Sequence, residues 1–202
     1  MLSFSREKNK MCGIAGFIRE TKPDSMMRVQ RMTDCISHRG PDDEGVHLST
    51  IDGLDVALGH KRLSIIDPGP SGHQPMIDSA SGSVIVYNGE IYNYRELRRE
   101  LEKQGCYFHG SGDTEVLLQG LVRYGPHCLK KLKGMFAFAF FNLREQKIML
   151  ARDPLGIKPL YYSIGNNVLA FASEIRSLLS AGFLKAEVSR KDLLGFLTCG
   201  AY

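Results

Sequence analysis

Three features of this sequence could do chemistry together: a cysteine followed by glycine, an asparagine–glycine pair, and a separated arginine and aspartate. Cys12 stands in Met11-Cys12-Gly13. By habit, a cysteine in an apolar stretch is a small buried hydrophobe. Met11 opens another reading: translation from Met11 followed by its removal would make Cys12 the first residue. Cleavage of residues 1–11 as a propeptide would have the same result. A free α-amine has a pKa of about 8, so part of it is uncharged near neutrality. It can then act as the base for its own thiol. Gly13 would let a substrate or another backbone approach closely.

Asn88-Gly89 directly follows the apolar run VIVY at 84–87. The pair reads either as a tight turn ending a strand or as two hydrogen-bond donors forming an oxyanion hole. Arg62 lies between Lys61 and the apolar run LSII at 63–66. On a surface it would be unremarked, whereas in a pocket its rigid fork binds a carboxylate. Asp113 follows Gly110-Ser111-Gly112, where a helix N-cap explains it; its other possible task is to fix an ammonium. Together Arg62 and Asp113 could clamp both ends of a free amino acid.

Elements must position these groups, and the patterning gives many strands with helices grouped in the middle. Strands are predicted at 13–18, 45–48, 54–60, 63–66, 84–87, 106–109, 135–142, 147–152, 159–164 and 168–173. Asp24 is expected to cap a helix reaching about Ser37, with Met26, Val29, Thr33 and Ile36 at helical spacing. Asn93 with Glu96 reads as a capping box opening a helix to about Gly105. Further helices are expected over 113–125, from Pro126, over 174–181 and from Ser189. Residues 67–83 read as a loop. Helices that do not alternate with each strand favour an α+β fold of antiparallel sheets packed beside helices.

Composition sets limits. With 202 residues, 43% hydrophobic and 24% charged, the chain supports one globular core. A net charge of +4 and no long basic run point away from nucleic acid. No apolar run approaches 18 residues, so no membrane span is expected, and residues 1–10 lack the apolar core of a secretory signal. The five cysteines have neither CxxC nor zinc-ligand spacing, so no metal is expected. No P-loop or GxGxxG element is present.

From Cys12 onward the chain resembles the class II, N-terminal nucleophile, glutamine amidotransferase domain of glutamine-hydrolysing asparagine synthetases. The runs that carry the resemblance are MCGIAGF (11–17), HRGPDDEG (38–45), GHKRLSIID (59–67), GHQP (72–75), YNGEIYNYRELR (87–98), GSGDTEVLL (110–118), LKGMFAFAFFN (132–142), ARDPLGIKPLYY (151–162) and FASEIRSLL (171–179). The resemblance implies a four-layer αββα sandwich of two antiparallel sheets. It implies Cys12 as nucleophile with its own α-amine as base, and Asn88 with Gly89 as oxyanion hole. Arg62 would hold the glutamine α-carboxylate, and Asp113, helped by Glu90, the α-amine. The backbone of Leu63, Ser64, Ile65 and Ile66 would line the same pocket, and Arg39 would support it near the thiolate.

The resemblance further implies that L-glutamine is the substrate. Ammonia would pass to a synthetase domain or subunit that uses ATP and magnesium to amidate aspartate; neither cofactor is expected in this chain. Residues 1–11 are expected to be a leader or mis-assigned start, 12–188 the amidotransferase domain, and 189–202 the start of a linker. Relatives that amidate a sugar or another carboxylate, and a non-catalytic remnant that binds a partner through its last helix, are the alternative readings. The cytoplasm is the expected compartment.

Overall fold

The computed structural model describes residues 11–64, 69–187 and 189–199. Among these residues nine strands form two sheets: β1 (Gly13–Glu20), β2 (Asp43–Ile51), β3 (Leu54–Arg62), β4 (Met76–Ile77), β5 (Val84–Ile91), β6 (Gly134–Asn142), β7 (Lys147–Arg152), β8 (Tyr161–Gly165) and β9 (Val168–Ala172). The helices are α1 (Ser25–Asp34), α2 (Tyr94–Glu102), α3 (Asp113–Tyr124), α4 (Ile175–Ser180) and α5 (Arg190–Cys199), with 3-10 turns at Pro70–Gly72 and Gly125–Lys131. One sheet has the order β2-β3-β1-β9-β8 and the other β4-β5-β6-β7. Every pairing is antiparallel.

Period-two patterning sorts the strand residues into layers, because successive side chains point to opposite faces. Along β1, Ala15 and Phe17 pack outward with Val29, Met32 and Ile36 of the α1 region, and with Leu178 of α4. Ile14 points the other way, and packs with Val84 and Val86 of β5 and Ala137 and Ala139 of β6 between the sheets. On the far side, Ile85, Tyr87 and Ile91 of β5 meet Leu97 and Leu101 of α2 and Val116, Leu117 and Leu121 of α3. Three apolar layers therefore separate four structural ones: helices, sheet, sheet, helices. This is the αββα sandwich expected above.

Several local expectations change. Asn88-Gly89 is no turn: β5 runs through the pair to Ile91, paired in register with β6 as Asn88↔Ala137 and Gly89↔Phe136. The β2–β3 hairpin instead turns at Asp52-Gly53, both with positive φ, the Asp-Gly preference for tight hairpins. Asp24 makes no cap bond; its carboxylate pairs with Arg19 and Arg28, and α1 stops at Asp34 rather than Ser37. Met26 is exposed. Asn93 likewise makes no cap, since its amide accepts from Lys133 N (2.9 Å) and donates to Lys131 O (2.9 Å), anchoring α2 to the segment before β6. Residues 106–109 form no strand, and the 67–83 loop contains a 3-10 turn and β4. Leu63 and Ser64 lie outside any strand, while Ile65 and Ile66 lie outside the described residues.

Candidate active site

The cleft lies where the start of β1 faces the end of β5 across the gap between the sheets. Cys12 is two residues before Ile14 and shares its parity, which directs it toward the inter-sheet layer. Its sulfur lies 3.3 Å from Leu63 N and 3.5 Å from Leu63 O. Both contacts are long, weak sulfur interactions. Burial pushes the thiol pKa up; the Leu63 backbone hydrogen bond and the Arg62 and Lys158 charges oppose that, and Asp113 adds to it. The residue itself is held through its backbone. Arg39 Nε donates to Cys12 O (3.0 Å), while Arg39 O accepts from Met11 N (3.0 Å). Arg39 is in turn paired with Glu174 (3.1 Å), which also meets His38 (2.7 Å) and Arg176 (2.6 Å).

Asn88 follows the parity of Val84 and Val86, so its side chain also faces the inter-sheet layer. It is buried, and its Nδ2 has no hydrogen-bond partner. Such an orphaned donor is costly, by about 1–3 kcal/mol, and rare. Gly89 supplies a second donor by strand geometry. Backbone N–H groups alternate between the two edges of a strand. On β5, Tyr87 N donates to Gln74 Oε1 (2.7 Å) and Ile91 N to Asp113 Oδ2 (2.9 Å), both away from β6. Gly89 N lies between them and points the same way. Its opposite number on β6 confirms the parity, since Phe136 N and O are both taken by Asp153. A Cβ at position 89 would collide with Met135 O and approach Phe136 Cα at 2.8 Å, so the strand closes tightly here only with glycine.

Why is the edge of β5 open? β4 is two residues long and pairs only with Val84 and Ile85. Beyond it, Gln74 and Asp113 take the places a neighbouring strand would fill. Asp113 is the first residue of α3, after the N-cap Gly112, and it does more than a cap would. Its Oδ2 accepts from Tyr87 Oη (2.7 Å) and Ile91 N (2.9 Å). Burial raises its pKa, against the hydrogen bonds that favour the carboxylate. Burial also raises the Tyr87 phenol well above its ordinary value, with the Asp113 charge adding to this. The phenol therefore stays a donor.

The cleft brings Cys12, Arg62, Leu63, Asn88, Gly89, Glu90 and Asp113 to one surface. Arg62, at the end of β3, is 5% exposed and donates to Gly69 O (3.1 Å), with Asp43 at 3.9 Å. Arg39 stands behind Cys12 rather than in the lining. Ser64 is also outside the lining, its N–H given to Asp42 (2.8 Å). Sequence reasoning missed Gln74, Tyr87 and Lys158, which line the cleft as well. Each lay inside a quoted run (GHQP, YNGEIYNYRELR, ARDPLGIKPLYY), but only the fold shows which member of a run turns inward. Among the described residues, no cluster of His, Cys, Asp or Glu could hold a metal, and no helix is long and apolar enough to cross a membrane.

Two antiparallel sheets between helical layers, with a cysteine at the head of a central strand, define the αββα class of N-terminal nucleophile hydrolases. A family model for the glutamine amidotransferase domain matches residues 11–202, and the chain belongs to that family. It is 39% identical over 187 residues to glutamine-hydrolysing asparagine synthetase 3 of Bacillus subtilis, covering 91% of this chain and 30% of that protein. To asparagine synthetase 1 of the same organism it is 42% identical over 175 residues, covering 85% and 27%. It is thus a glutamine amidotransferase domain, similar in sequence to the corresponding part of asparagine synthetases. The chain spans 27–37% of the length of the curated relatives first matched. Glutamine phosphoribosylpyrophosphate amidotransferase of B. subtilis shares the fold, with TM-score 0.71 and 24% identity over 85% of this chain and 44% of that one.

Proposed function

We propose that this chain hydrolyses L-glutamine to glutamate and ammonia, with Cys12 as nucleophile once removal of residues 1–11 frees its α-amine. The observation that carries the reading is the pair of donors opposite Cys12: Asn88 Nδ2, buried without a partner, and Gly89 N–H, directed to the open edge of β5. Two such donors suit a tetrahedral oxyanion, and each is worth a few kcal/mol in the transition state. Arg62 takes the α-carboxylate and Asp113, with Glu90, the α-ammonium. They hold the two ends of glutamine so that its side-chain amide reaches the sulfur.

Burial keeps the thiol protonated at rest, so a base must act during attack. The α-amine accepts the thiol proton as the sulfur bonds to the amide carbon. It then returns a proton to the leaving nitrogen, and ammonia departs, leaving a γ-glutamyl thioester. Water, deprotonated by the same amine, attacks the thioester and releases glutamate and the thiol. While Met11 remains, that nitrogen is an amide and holds no basic lone pair.

The similarity to asparagine synthetases supports aspartate as the ammonia acceptor, activated with ATP and magnesium by a synthetase domain outside the described residues, in the cytoplasm. Residues 12–188 would be the amidotransferase unit, with 189–202 leading toward that domain. The test is intact mass of the protein produced from its native upstream sequence, coupled to a glutaminase assay. A chain beginning at Cys12 that releases glutamate is the expected result. A chain retaining residues 1–11 and producing no glutamate would overturn the reading.

A further inference from the structure

We propose that Lys158 is a positioning residue of this site: its buried ammonium supplies positive charge beside Cys12 that steadies negative charge on the sulfur. This inference rests on the proposed nucleophile and deepens it. Lys158 lines the same cleft as Cys12 and is 7% exposed. Among the described residues no carboxylate lies within ion-pair distance of it, and its ammonium reaches only the Met11 thioether (3.4 Å). A thioether is a weak acceptor, and a buried ammonium without a counter-ion is costly. That cost is unexplained unless an anion arrives there, and removal of Met11 would clear the space beside it.

The backbone around Lys158 is fixed as though its placement mattered. Asp153, itself buried, accepts from Lys158 N (3.0 Å) and Ile157 N (2.9 Å). Arg152 Nε donates to Lys158 O (2.7 Å). The loop between β7 and β8 therefore delivers one side chain to the cleft and ties down the residues on either side.

The charges around the sulfur show why a further cation is needed. Arg62, Lys158 and Asp113 act on Cys12; Cys12, Arg39, Glu90 and Asp153 act on Lys158. Glutamine brings its own carboxylate to Arg62 and its own ammonium to Asp113, and each pair cancels. Lys158 is then the cation left facing the sulfur, with Arg39 behind it on the backbone side. Burial lowers the lysine pKa, while the Cys12 charge raises it, so the two groups stabilise one another's charged forms.

The experiment is the pH dependence of iodoacetamide alkylation at Cys12, read by peptide mass in the processed full chain. Wild type, Lys158→Met and Lys158→Arg are compared, with glutamate release measured alongside. Removing an adjacent cation raises a thiol pKa by about one unit or more. Lys158→Met should therefore shift the alkylation midpoint that far alkaline and move the acid limb of the kcat profile the same way. Lys158→Arg should restore both toward wild type. Coincident alkylation curves for wild type and Lys158→Met overturn the proposal, whatever happens to glutamate release. Equal shifts in both variants also overturn it, since they would report lost packing rather than lost charge. A wild-type chain whose alkylation responds to Lys158→Met as expected, yet releases no glutamate, supports the charge pairing and breaks the glutaminase reading instead.

Discussion

The two walls of the cleft are built on opposite terms. On the β5 and α3 wall the supporting hydrogen bonds are made: Asp113 accepts from Tyr87 and Ile91, and Gln74 accepts from Tyr87 N at 2.7 Å. Across the gap, Cys12 has only long contacts to Leu63, Lys158 has a thioether, and Arg39 Nη2 is buried without a partner; Asn88 Nδ2, on β5 itself, is also buried without one. Satisfied hydrogen bonds fix geometry, and unsatisfied ones in a dry site hold interaction energy back until charge develops. In the proposed reaction the satisfied groups hold the site's shape and the unsatisfied ones react. Changes at the reacting groups should therefore spare stability, because they remove few satisfied contacts.

The strongest way to break that division is Cys12→Ala. Glutamate release should fall by about 10⁴-fold or more, while the thermal melt stays near wild type, because the thiol makes only weak contacts. A large loss of melting temperature would show that Cys12 is a core residue after all. Asn88→Ala comes next. It should lower kcat by about 10²–10³-fold with little change in KM, and with a smaller loss of stability than is usual for a buried polar truncation, since it removes an orphaned donor. A KM effect with kcat intact would move Asn88 from the reacting groups to the binding ones.

Asp113→Asn sharpens the other side. Loss of the charge that meets the substrate ammonium should raise KM about tenfold or more, while the amide oxygen can still accept from Tyr87 and Ile91. The pH sign follows from the raised pKa of Asp113. A carboxylate whose folded pKa is raised weakens the fold by an amount fully present above that pKa. The weakening fades as pH falls through it and is gone below the ordinary value of 3.8. Asp113→Asn should therefore be relatively more stable than wild type at neutral pH, with the difference closing in acid; melts across that range decide it. The smallest effect is expected for Glu174→Gln, which loosens Arg39 behind Cys12 O. About a tenfold fall in kcat with unchanged KM is predicted, and an unchanged kcat would free the Glu174 cluster of any part in positioning.

Much of this was legible in the chain. Apolar runs at 13–18, 84–87, 135–142 and 168–173 predicted the central strands, because a strand covered on both faces reads as an almost unbroken hydrophobic run. Residue types nominated Cys12, Arg62, Asn88, Gly89 and Asp113 because few side chains can be a nucleophile, a carboxylate fork or an ammonium partner. Local capping was legible in pattern and wrong in detail. Asp24 and Asn93 have cap chemistry, yet tertiary partners Arg19, Arg28, Lys131 and Lys133 outcompete a local N–H.

Sequence alone determined which groups are available and the period of the elements that carry them. Only the tertiary structure decided that Asn88-Gly89 continues a strand instead of turning, since pairing with Ala137 and Phe136 across 40-odd residues sets that backbone. It also decided which donors stay unpaired. A sequence records that Asn88 and Gly89 can donate; that β4 stops short, leaving the edge of β5 open opposite Cys12, depends on how two sheets stack, because burial and partnership are properties of the packed chain and not of the residue.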